Sequence, residues 1–92
     1  MGVASVFPNP AHSRAMVRFS LSEGSPDVRV ELFDVAGRRV RTLASGAFPA
    51  GSHEINWERG ASGGQPIRSG VYFVRISTKG HLLTNKIVIS DR

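Results

Sequence analysis

Val30-Glu31-Leu32-Phe33-Asp34-Val35-Ala36-Gly37-Arg38-Arg39-Val40 is the stretch that decides the fold. Leading into it, Val28, Val30 and Leu32 alternate with Arg29 and Glu31, the period of a strand with one face on a core. Asp34 first and Gly37 fourth suit a type I turn with the glycine at positive φ in a bulge. The Asp34 carboxylate can accept from the backbone N–H two residues on and fix the turn locally. A second strand then leaves from Arg38. The unit is a β-hairpin.

The same period recurs on both sides of it. Val17, Phe19 and Leu21 alternate with Arg18 and Ser20, and Tyr72, Val74 and Ile76 with Phe73, Arg75 and Ser77. No window of helical length carries a sustained apolar stripe, so almost no helix is expected. Strands are expected at Ala15–Leu21, Asp27–Asp34, Arg38–Leu43, Gly51–Trp57, Gly70–Thr78 and Leu82–Ile89, with one short extra edge strand. Short strands punctuated by glycine and proline make an all-β fold, an antiparallel β-sandwich of about seven strands. The expected core is Val17, Phe19, Val30, Leu32, Ile55, Trp57, Tyr72, Val74, Ile76 and Ile87. Lys79-Gly80-His81 should close the last hairpin as Asp34–Gly37 closes the earlier one. Gly60-Ala61-Ser62-Gly63-Gly64-Gln65-Pro66 is expected to be a surface loop.

Three local features carry specific expectations. In Phe7-Pro8-Asn9-Pro10 each proline fixes its own φ and keeps the residue before it extended. Neither proline nitrogen can donate, so the segment should lead into the sheet at an edge, with Phe7 docked on the core. Trp57 and Tyr72 should sit in or beside the core, each with a polar tip that needs a partner when buried. Gly37 and Gly70 should resist substitution because of their backbone conformation.

Composition sets the class. Ninety-two residues with 40% hydrophobic content suit one sandwich spanning residues 3–92, with a modest core and a thin stability margin. Met1-Gly2 reads as a start added to an excised fragment. With no cysteine, packing alone must hold the fold, and thiolate metal sites are excluded. No apolar run approaches the ~20 residues of a membrane span, and the first residues lack the pattern of a signal peptide. The net charge of +5 is spread over arginines in every segment. A nucleic-acid surface would gather them on one face with interleaved aromatics, so no nucleic-acid partner is expected.

Catalytic chemistry finds no support. Gly60-Ala61-Ser62-Gly63-Gly64 fits the letters of a nucleophile elbow, but that device needs a strand before it and a helix after it. Here a strand follows, and Ser62 is read as chance. His12, His53 and His81 lack metal-ligand spacing, and His53 is expected to pack beside Ile55 and Trp57. The seven carboxylates form no close pair suited to acid–base work. No enzyme, cofactor or metal is expected.

Taken in order, Phe7-Pro8-Asn9-Pro10, the hairpin at residues 30–40, His53-Glu54-Ile55-Asn56-Trp57, Ser69-Gly70-Val71-Tyr72-Phe73-Val74 and Lys86-Ile87-Val88-Ile89 resemble a known pattern. They are similar to the type A C-terminal sorting domain of the type IX (Por) secretion system of Bacteroidetes-type bacteria. They also resemble the immunoglobulin-like domain of flagellar hook-capping proteins. The likeness covers about Phe7 to Ile89. Hook-capping-type relatives usually follow the tryptophan with Asp-Gly and a second acid. Here Trp57-Glu58-Arg59-Gly60 follows, so no carboxylate cap or cation site carries over to that loop.

The resemblance implies an exported domain that is recognised rather than catalytic. Its parent would reach the periplasm by a signal peptide at the other end of a longer chain. The domain would engage the outer-membrane translocon, and a surface protease would cleave it and attach the cargo to a lipopolysaccharide anchor. Strand addition at an open sheet edge is a physical mode for such recognition. Lys86, Ile87, Val88 and Ile89 are the candidate residues, with Pro8, Asn9 and Pro10 next. Lys86 has a second reading, as a charge that prevents edge-to-edge aggregation. Asp34, Gly37, Trp57, Gly70 and Tyr72 are expected to serve structure. An assembly module of hook-capping type is the alternative function. A carbohydrate-binding sandwich is a third, disfavoured because the phenylalanines fall mostly at core-phase positions.

Overall fold

The computed structural model describes residues 4–58, 60 and 67–90. Seven strands follow in order: β1 (Ser5–Phe7), β2 (Arg14–Leu21), β3 (Ser25–Asp34), β4 (Arg39–Phe48), β5 (Gly51–Glu58), β6 (Gly70–Thr78) and β7 (His81–Ile89). They form an immunoglobulin-like antiparallel sandwich of two sheets. One sheet runs β1-β2-β5 and the other β4-β3-β6-β7. The short extra strand is β1, at the edge beside β2.

Alternation places the core. Val17, Phe19 and Leu21 of β2 face Val28, Val30 and Leu32 of β3 and Tyr72, Val74 and Ile76 of β6 across the sandwich, all buried. Trp57, Ile87 and Ile89 extend this cluster, as do Ala11, Ala15 and Ile67. Ile55 is the exception among the expected core residues. It is half-buried and packs against the cluster from β5, at the edge of its sheet. His53 stacks on Phe19 and Phe48 with ring centroids 5.5 and 5.0 Å away, the packing role expected of it.

Strand ends differ most at β4. Instead of stopping at Leu43 it continues through Ala44-Ser45-Gly46-Ala47 to Phe48. Small residues there carry no alternation signal, and three register shifts in the β3–β4 ladder, with Gly46 at φ 129°, accommodate the mismatch. Phe48 then folds onto Phe19 at 5.8 Å.

The phenylalanines are placed differently from the expectation. Phe19 is buried in the core, while Phe33 and Phe73 lie half-buried on the outer face of the four-stranded sheet. Phe7 is exposed, with the Arg18 guanidinium 5.3 Å from its ring centre, and Val6 packs on the core in its place. Met1-Gly2, Arg59, the Gly-rich loop from Ala61 to Pro66 with Ser62, Asp91 and Arg92 lie outside the described residues.

Candidate recognition edge

Pro8, Asn9 and Pro10 leave β1 as an exposed strap with cis bonds at Phe7-Pro8 and Asn9-Pro10. Neither proline can donate a hydrogen bond, so Asn9 supplies both polar functions of the strap through its amide side chain. Its Nδ2 donates to the Lys86 carbonyl at 3.3 Å, and its Oδ1 accepts from the Val88 N–H at 3.0 Å. Ala11, buried in the core, continues with main-chain bonds. Its N–H donates to the Val88 carbonyl and its carbonyl accepts from the Ser90 N–H, both at 2.8 Å. Ala11 and Ile89 form a parallel bridge. Asn85 also reaches the Ala4 carbonyl at 3.1 Å.

The strap therefore unites two groups of candidates that the sequence keeps 77 residues apart. Ile87 and Ile89 point into the core and are buried, so they anchor β7 and are hidden from any partner. Val88 is half-buried and Lys86 exposed. An open edge for strand addition at Lys86–Ile89 is not what the fold presents. The Lys86 carbonyl, the Val88 N–H and carbonyl, and the Ser90 N–H are already bonded to Asn9 and Ala11. An extra strand has to displace the strap or pair elsewhere. The sequence signal for this lay in Ala11, a small apolar residue after Pro10, which alone does not reveal its partner.

The structural residues sit at the same end. Asp34 pairs with Tyr72 on β6, and Tyr72 with Ile87 on β7, so they form one row across the sheet. In the β3–β4 turn, the Asp34 carboxylate accepts from the N–H of Ala36 at 3.0 Å and of Arg38 at 2.9 Å. Gly37 takes φ 84° and donates to the Asp34 carbonyl at 3.0 Å. The Arg38 N–H bond, with smaller help from its guanidinium and from Ala36, holds the Asp34 carboxyl below the usual aspartate range, against a burial effect that raises it. The last hairpin is tighter than its counterpart. Thr78 pairs directly with His81, leaving a two-residue turn with Gly80 at φ 80°.

Gly70 opens β6 at φ 154°. The Tyr72 hydroxyl donates back to the Arg68 carbonyl at 2.8 Å, a tyrosine corner at the start of the strand. A Cβ on Gly70 would stand 3.6 Å from the Tyr72 ring, so space permits it and the backbone does not. Trp57 is buried as expected, but its indole N–H has no hydrogen-bond partner among the described residues. His12 Nδ1 lies 3.0 Å from the Ser90 carbonyl beside the strap, and His81 is exposed in the last hairpin. Among the described residues, no group of histidines and carboxylates is placed to hold a metal ion, and no helix is long and apolar enough to cross a membrane.

With this geometry in place, comparison with known proteins gives a consistent answer. Residues 9–81 match the FlgD Ig-like domain family. The chain belongs to that family. In shape this Ig-like domain is similar to part of dimeric latent PorU from Porphyromonas gingivalis, with 24% identity and a TM-score of 0.71 over 97% of this chain. It is also similar to part of PorZ, described as an essential bacterial surface component of the type-IX secretion system of the same organism. That match has 20% identity and a TM-score of 0.62 over 95% of this chain. The Ig-like domain spans only 9% and 11% of those two chains. Comparison with curated proteins gives no match.

Proposed function

We propose that this Ig-like domain is a sorting module of the type IX secretion system, recognised as a folded unit and carried on a larger cargo protein. The observation that supports the reading is the Asn9 clasp. It joins the proline strap to Lys86 and Val88 of β7, so the exposed members of the two groups singled out by the family resemblance, Asn9 and Lys86, lie together. The likeness in shape to PorZ, a surface component of that system, is consistent with it. On this reading the partners are the outer-membrane translocon and its surface protease, and the domain passes through the periplasm to the cell surface. Recognition reads the composite of strap and β7, with Lys86 and Asn9 the exposed side chains in contact.

The test is export of a fused passenger. Lys86→Ala changes stability by less than about 0.5 kcal/mol because its side chain is exposed. The expected result is a folded variant whose passenger accumulates in the periplasm, with Asn9→Ala behaving likewise. Normal export of both folded variants would overturn the proposal.

A second reading, an assembly module of hook-capping type, is favoured by the family match itself. The parent gene separates the two. A cargo domain behind an N-terminal signal peptide belongs to sorting, and a hook-assembly context to the other.

A further inference from the structure

The outer face of the four-stranded sheet carries a row that runs across all four strands. Arg39 of β4 pairs with Phe33 of β3, Phe33 with Phe73 of β6, and Phe73 with Lys86 of β7. The Arg75 guanidinium lies over the Phe33 ring, 4.2 Å from its centre, and its Nε has no hydrogen-bond partner among the described residues. Val71 and Val88, themselves paired, continue the apolar surface to one side. Glu31 is nearly buried beneath Arg39, which donates to it at 3.1 Å, yet the Arg39 side chain stays 58% exposed and has further N–H groups to offer.

From this row we infer that the outer face is a docking surface for an acidic, apolar segment of a partner protein. Neighbouring strands lie about 4.8 Å apart, so Arg39 and Lys86 are separated by roughly 14 Å of sheet. An extended segment advances about 3.3 Å per residue, and its alternate side chains share a face. Two carboxylates four residues apart therefore reach both ends of the row, with an apolar side chain midway over Phe33 and Phe73. The surface selects the pattern acid-x-apolar-x-acid.

A second copy of this domain is a poor occupant, because it would bring Arg39, Arg75 and Lys86 against the same cations. A membrane is also disfavoured. Phe33 and Phe73 are half-buried in the sheet surface rather than fully exposed. This inference stands independently of the secretion reading.

The experiment is an NMR titration of the 15N-labelled domain with the capped peptide Glu-Ser-Leu-Ser-Glu. Controls are a Gln-for-Glu peptide, a same-composition peptide with adjacent glutamates, and anionic phosphatidylglycerol vesicles. The proposal expects shifts centred on Phe33, Phe73, Arg75 and Lys86, at least fivefold weaker binding of both control peptides, and no vesicle binding. Lys86→Glu, exposed and so expected to remain folded, should weaken the peptide at least fivefold, and Phe73→Ser should do the same if its spectrum stays dispersed. Shifts elsewhere, equal binding of the adjacent-glutamate peptide, an unchanged Lys86→Glu, or a preference for vesicles would each overturn it.

Discussion

Asp34 shows how much one side chain fixes. Its carboxylate binds two backbone N–H groups of its own turn, and the charge is better stabilised folded than unfolded. Its pKa is lowered from the ordinary 3.8, so its contribution is present in full above that value and is lost as pH falls through the folded pKa. Asp34→Asn keeps an oxygen that can accept but removes the charge. The variant is expected to melt below the parent at neutral pH, with the gap closing as pH drops below about 4. Thermal midpoints of the pair from pH 2 to 7 check this, and a gap independent of pH would place the charge outside the folding equilibrium. This residue was legible in the sequence because its partners lie within four positions. Asn9 was not, because its partners are on the last strand and nothing local announces them.

Among the elements, those with strict alternation were the easiest to foresee. β2 and β6 bury every second residue, and their limits follow from the pattern. β4 hid half its length because Ala44, Ser45, Gly46 and Ala47 belong to it through pairing with β3, not through their own preferences. The β3–β4 turn gives the sharpest test at this scale. A valine at Gly37 must enter a left-handed conformation that β-branched residues resist, although a Cβ there meets nothing within 4 Å. Gly37→Val should therefore cost about 1–3 kcal/mol, and Ala36→Val much less. Chemical denaturation of both variants measures the difference, and equal midpoints would refute the turn geometry. Phe33 and Phe73 teach the opposite lesson. The sequence pattern put most phenylalanines in core phase, and the outward row that Phe33 and Phe73 complete with Arg39 and Lys86 depends on register across four strands.

At the scale of the whole molecule, the N-terminal segment belongs to both sheets. It lies in the three-stranded sheet as β1, crosses to bond β7 of the other through Asn9 and Ala11, and returns at Arg14 to begin β2. One side of the sandwich is thus closed by hydrogen bonds. On the opposite side, Arg41 reaches from β4 to the carbonyls of Glu58 and Gly60. The parallel bridge of Ala11 and Ile89 also gives the domain a mechanical direction. Tension applied between the chain ends would pull these two segments along their length in opposite senses. The bonds of Ala11 to Val88 and Ser90 would then share the load at once instead of opening one after another. The domain should therefore resist tension applied along this bridge, and it should yield more readily when peeled from the β3–β4 turn, where the rungs of the ladder part singly.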